Sequence, residues 1–181
     1  MNATKPGVVG ATIVCRSGVY FDFLDPKPWT IDVEDIAWGL SNACRYAGQC
    51  LAFYSVAQHS VLVSRHVPPA LALAGLLHDA AEAYMGDIVG PLKQLLPEYK
   101  VIERRVEHAI AARFDLPYPW PAEVKHADLR LLRTEQRDLT AGSSDVWSST
   151  DGYEPLDQVI APMMPDEAFE RFLARYAEIT R

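Results

Sequence analysis

Three things are scarce in this sequence, and each scarcity removes a class of protein. Only three cysteines occur among 181 residues. Cys15, Cys44 and Cys50 are odd in number and lack the close paired spacing of a zinc site, which argues against a disulfide framework and fits a reducing, cytoplasmic setting. No run of about 18 uninterrupted apolar residues is present. Residues 1–10 carry no basic segment followed by a long apolar core, so a chain that neither inserts into nor crosses a membrane is expected. Basic residues are outnumbered by acidic ones, 17 against 24, giving a net charge of -7. A coat on a nucleic-acid polymer needs a dense basic footprint, so that role is excluded. A small anionic ligand needs only a few local cations and stays open.

What the chain does have is apolar material, 49% of its residues, enough for the core of one compact domain over 1–181. Residues 11–15 and 19–23 are short β-prone runs around Arg16-Ser17-Gly18 and predict a small, peripheral hairpin. Together with its flanks it forms an N-terminal extension, residues 1–31. Asp32, with Asp35 three residues on, resembles an N-cap with an acidic first turn. Val33, Ile36, Ala37, Leu40, Ala43 and Cys44 keep the helical interval, predicting a helix that ends near Gly48.

Ser55 caps a second helix to about Arg65, and Pro68-Pro69 opens a third over 70–85, apolar on most sides and central to the core. Gly86 and Gly90-Pro91 mark a loop. Further helices follow over 97–114 and 122–139, separated by a Pro-rich break at 116–121. A Gly/Ser-rich loop at 141–153 precedes a closing C-terminal segment, 154–181. Its helix over 165–179 carries Phe169, Phe172, Leu173 and Tyr176 on one side. The fold class is therefore all-α with a minor β element, without internal repeats.

Chemistry is signalled by His78-Asp79, set inside the apolar run Leu76-Leu77-His78-Asp79-Ala80-Ala81. Glu82 follows about one turn later on the same face. His59 and Asp128, on two other predicted helices, complete a possible set of imidazole and carboxylate ligands. Such a mixture suits borderline divalent ions such as Mn²⁺, Co²⁺, Fe²⁺, Ni²⁺ or Zn²⁺. Without a cation, the charged groups on a buried helix would be left unpaired, which is costly.

These residues carry a resemblance. Val56-Ala57-Gln58-His59-Ser60, then Leu77-His78-Asp79-Ala80-Ala81-Glu82, then Ala127-Asp128 is similar to the H…HD…D signature of HD-domain phosphohydrolases. More narrowly it resembles the YfbR-like 5'-deoxynucleotidases, a branch that includes phage dATP triphosphohydrolases. The likeness spans about residues 32–139. Gln58 stands where relatives often have Glu, and the hairpin before Asp32 is not shared by every member.

The resemblance implies an HD-domain helical bundle in which His59, His78, Asp79 and Asp128 hold one divalent ion (Co²⁺, Mn²⁺, Mg²⁺, Zn²⁺ or Ni²⁺). Glu82 matches the catalytic acid that steers the attacking water, and Asp87 a second acidic residue at the reaction centre. Arg45, Lys93 and Lys125 match phosphate-binding cations, and Tyr46, after Arg45, stands beside the sugar and base, where it can stack. The implied substrate is a deoxynucleotide, cut to release one phosphate or a tripolyphosphate, and the implied assembly is a homodimer or larger.

Competing readings are a nucleotide sensor without turnover, and hydrolysis of an alarmone or cyclic nucleotide. Retention of Glu82 and Asp87 counts against the sensor. His66, His108 and His126 read as surface or packing residues, Trp29, Trp38, Trp120 and Trp147 as core or interface aromatics, and Arg104-Arg105 as a solvated face.

Overall fold

The computed structural model describes residues 10–141 and 145–181, so the expected loop over 141–153 lies partly outside the described residues. Strand β1 (Thr12–Val14) pairs antiparallel with β2 (Tyr20–Asp22), placing Ile13 opposite Phe21. The hairpin is anchored, not loose. Phe21 is fully buried and stacks on Tyr84 with ring centroids 4.0 Å apart. The Ser17 amide and hydroxyl both donate to Asp35, at 2.9 and 2.6 Å.

Helix α1 (Val33–Asn42) starts as expected, with Asp32 accepting from the Glu34 amide, and it buries Ile36, Ala37 and Leu40. It ends well before Gly48. Ala43 and Cys44 leave the helix because their backbone bonds go elsewhere: the Val56 amide donates to Ala43 O at 3.0 Å and Cys44 bridges to Ser55. Their apolar side chains merely continue a helical pattern that the backbone has abandoned. A tight turn over Arg45–Gly48 follows, in which Tyr46 (φ 57°), Ala47 (φ 52°) and Gly48 (φ 78°) are all left-handed.

Helix α2 (Val56–Arg65) is capped by Ser55, which accepts from the Gln58 amide at 3.1 Å. The single third helix expected over 70–85 is instead α3 (Ala72–Leu77) and α4 (Glu82–Met85), after a 3₁₀ turn at Pro69–Leu71. Between them the hydrogen bonds tighten to the i→i−3 pattern: Ala80 to Leu77 (3.0 Å), Glu82 to Asp79 (2.9 Å) and Ala83 to Ala80 (3.2 Å). His78-Asp79 occupies that tightened turn. A one-turn helix, α5 (Gly90–Lys93), stands where a loop was expected, because Pro91 is well suited to a first helical turn. Helices α6 (Pro97–Phe114), α7 (Ala122–Leu139) and α8 (Pro165–Ile179) match expectation.

One apolar cluster joins Phe21, Ile36, Leu40, Leu76, Tyr84, Ile110 and Phe172; Phe169, Leu173 and Tyr176 of α8 pack on it, as their shared face predicts. A second cluster joins Tyr54 and Val63 to Ala127, Leu131 and Leu139 of α7. Helix α2 contributes to both, Val56 and Val61 to the first and Val63 to the second. It is therefore as central as the expected third helix. Among the described residues, no helix is long and apolar enough to cross a membrane.

Gly39 sets how closely α1 and α4 approach, since a Cβ there would lie 2.6 Å from the Ala83 carbonyl oxygen. Gly→Ala in an open helix stabilises by about 1 kcal/mol. Here overpacking reverses the sign: Gly39→Ala is expected to lose about 1–3 kcal/mol in urea denaturation.

Candidate metal centre

Four side chains from three elements converge on one point. His59 comes from α2, His78 and Asp79 from the tightened turn, and Asp128 from α7. Successive helical residues diverge by about 100°, yet His78 Nε2 lies 3.4 Å and Asp79 Oδ2 3.6 Å from the same His59 Nε2. Asp128 Oδ1 is 3.3 Å from that nitrogen, and Asp79 Oδ2 is 3.3 Å from His78 Nε2.

The far side of each imidazole is fixed. His59 Nδ1 sits 2.6 Å from Glu135 Oε1, and His78 Nδ1 2.9 Å from the Gly75 carbonyl. Both partners are acceptors, so both Nδ1 atoms donate. In the neutral rings the two Nε2 lone pairs then face each other and the two carboxylates. That is repulsive unless a cation, a proton or a metal ion, lies among them.

In the metal-free protein His59 takes the proton. Burial and Arg45 oppose its charge, but Glu135 and the hydrogen bond to Asp128 outweigh them and lift its pKa to about 9. The donor set also fits a metal: His59, His78 and Asp128 offer ligand atoms all within 4.8 Å of one another. They form a cluster able to chelate a divalent ion, and Asp79 contacts both of its imidazoles.

Glu82, first in α4, is buried. Its Oε1 accepts from Lys93 Nζ at 3.4 Å, while its Oε2 has no hydrogen-bond partner among the described residues. Burial first, then Asp79 and Asp87, push its carboxyl well above the usual range. Asp87, partly buried between α4 and α5, is likewise raised, chiefly by burial, with Asp79 adding to the rise and Arg45, Lys93 and His59 opposing it.

The expected cations are all engaged. Lys93 pairs with Glu103 at 2.7 Å besides Glu82, and exposed Lys125 pairs with Asp128 Oδ2 at 2.7 Å. Arg45 is buried and directs Nη1 to Asp79 at 3.5 Å. The Tyr46 hydroxyl is spent on Glu135 at 2.5 Å, and its ring lies 5.8 Å from that of Trp147.

Glu135 is the residue that the sequence reading missed. It is fully buried and accepts from His59, Tyr54 (2.9 Å), Tyr46 and the Arg45 guanidinium (3.2 Å from Nε, 3.1 Å from Nη2). A signal existed: Glu135 follows Asp128 by seven residues, two helical turns, on the same face of α7. His66, His108 and His126 are exposed and apart from the cluster, as expected. Trp38 packs on Phe169 and Trp120 donates to Glu107, but Trp29 is 76% exposed and so is not a core residue. Arg104 and Arg105 lie on an exposed face.

The chain is 40% identical over 165 residues to the uncharacterized protein YfdR of Escherichia coli (strain K12), covering 91% of this chain and 93% of that protein. It belongs to the YfdR family. A second relative, the uncharacterized protein RCAP_rcc00048 of Rhodobacter capsulatus, is 40% identical over 121 residues, 61% of this chain and 62% of the relative. No protein-family model matches. The family assignment thus leaves the chemistry to the site, whose buried His/His/Asp cluster suits a metal-dependent hydrolase.

Because its folded pKa is raised, His59 contributes stability that is complete below its unfolded value of about 6.5 and lost as pH rises through about 9. In chelator, the urea midpoint should fall across that window; a flat profile would contradict the protonated His59. Mn²⁺ uptake at pH 7.5 should release about one proton per ion, measurable by calorimetry in buffers of different ionisation enthalpy.

Proposed function

We propose that the protein is an HD-domain phosphohydrolase that removes 5'-phosphate from deoxynucleotides, as a 5'-nucleotidase or a triphosphohydrolase. The observation that carries this reading is the convergence of two tautomer-fixed imidazole nitrogens 3.4 Å apart with two carboxylates, next to a buried glutamate oxygen that has no hydrogen-bond partner among the described residues. His59, His78, Asp79 and Asp128 would hold the ion. When bound, a divalent ion acidifies water and neutralises charge developing on a phosphoryl oxygen.

The remaining steps belong to side chains of the chain itself. Arg45 is anchored from behind by Glu135 and aims Nη1 toward Asp79, at the edge of the cluster, where it can grip a phosphate oxygen. Lys93 and Lys125 each already face a carboxylate, so an incoming phosphate exchanges one anionic partner for another and creates no unpaired charge. With its hydroxyl bonded to Glu135, Tyr46 can offer a base only its ring face.

Glu82 orients the attacking water with its free oxygen and accepts its proton. The Lys93 ammonium beside Oε1 offsets part of the repulsion that Asp79 and Asp87 impose on it. Asp87, whose carboxyl is raised in the same electrostatic field, would give its own proton to the leaving oxygen, while the proton from water stays on Glu82.

The test is release of phosphate or tripolyphosphate from a panel of deoxynucleoside mono- and triphosphates with Co²⁺, Mn²⁺ or Mg²⁺. Glu82→Gln is expected to slow turnover by about 10²–10⁴-fold while Mn²⁺ affinity stays within about threefold of wild type, and Asp79→Ala is expected to lose the metal. Wild-type turnover in Glu82→Gln would remove that residue from the mechanism. A wild-type protein that binds nucleotide with every metal but never cleaves it would be a sensor instead.

A further inference from the structure

We infer that Glu135 is the positioning residue of the centre, a single carboxylate whose two oxygens brace the metal end and the phosphate end of the site. The meaning of the phosphate end rests on the proposed function; the metal end does not. The contacts divide cleanly by oxygen. Oε1 accepts from His59 Nδ1 at 2.6 Å and Tyr54 at 2.9 Å, while Oε2 accepts from Arg45 Nε at 3.2 Å and Tyr46 at 2.5 Å.

A merely structural role accounts poorly for this arrangement. Buried ion pairs often stabilise a fold less than apolar side chains of equal volume, and the neighbours Leu131, Ala127 and Tyr54 belong to an apolar cluster that such a side chain could extend. What an apolar residue cannot do is accept from the imidazole. The Glu135 bond keeps the proton on Nδ1 of His59 and turns Nε2 toward His78 and Asp128. The opposite oxygen holds the guanidinium at the head of the left-handed Arg45–Gly48 turn. Tyr46 and Ala47 lie in a backbone region that costs non-glycine residues about 1–3 kcal/mol each unless their surroundings enforce it, and the Tyr46 hydroxyl bond is part of that enforcement.

Glutamine is the informative replacement, because it has the same shape but only one acceptor oxygen. Its amide nitrogen must confront a donor, either His59 Nδ1–H or Arg45. The probe is Mn²⁺ alone, titrated into metal-free protein and followed by electron paramagnetic resonance. Glu135→Gln is expected to weaken Mn²⁺ binding by about tenfold or more with an unchanged circular-dichroism spectrum, and to move the downfield proton resonance of His59 Nδ1–H upfield, because a neutral amide oxygen, or no acceptor at all, replaces the carboxylate. Glu135→Asp, which keeps the charge, should recover part of the affinity.

If Glu135→Gln does not fold, Tyr54→Phe removes one donor from the same oxygen with every charge intact, and should cost about threefold or more in Mn²⁺ affinity. Wild-type Mn²⁺ affinity in the folded glutamine variant, or in Tyr54→Phe if that variant is used, overturns the inference. The two ideas fail separately. Wild-type protein that binds Mn²⁺ but cleaves no nucleotide overturns the proposed activity and leaves the bracing of His59 standing. Turnover by wild type, with unweakened Mn²⁺ binding in Glu135→Gln, does the reverse.

Discussion

The bond between the Glu135 carboxylate and the His59 imidazole is the contact on which the rest of the centre depends. Both partners are fully buried, on α7 and α2, so it also ties the two helices across the second apolar cluster. Burial alone would drive Glu135 to take up a proton. Instead Arg45 and His59 hold its carboxyl below the usual range, and it keeps its charge. Once Glu135 is ionised, the direction of His59 follows, and with it the point where His78, Asp79 and Asp128 meet.

The second constraint is the change of helical pitch after Leu77. Three i→i−3 bonds tighten the chain there; within that turn His78 Nε2 and Asp79 Oδ2 both lie within 3.6 Å of His59 Nε2, and α4 starts at Glu82, whose carboxylate enters the site from the same strip of chain. The close crossing of α1 and α4 at Gly39 and Ala83 fixes that strip from behind.

Much of this was legible in the residues. Ser55 and Asp32 mark helix starts because a side-chain oxygen three or two residues from an amide has little else to do. The interruption of an apolar run by His78-Asp79 marks a site because isolated charge inside a core is too costly to be idle. Two features were not legible. Ala43 and Cys44 preserve the apolar period of a helix, and only the pairing with Ser55 and Val56 reveals that the backbone has turned extended. Glu135 sits among Thr134, Gln136 and Arg137 in a polar stretch whose burial no periodicity announces. Its two-turn distance from Asp128 becomes meaningful only once the face of α7 is known.

The raised affinity of His59 for a proton has a bearing on the order of events in the life of the polypeptide. Small zinc domains stay unfolded until the ion arrives, because their clustered ligands cannot coexist without it. Here a proton takes the place of the ion at neutral pH, and Glu135, Asp128 and Asp79 accommodate it with bonds already in place. Folding therefore need not wait for an ion: the newly made chain can assemble the cluster around a proton, which any ion it took up would displace.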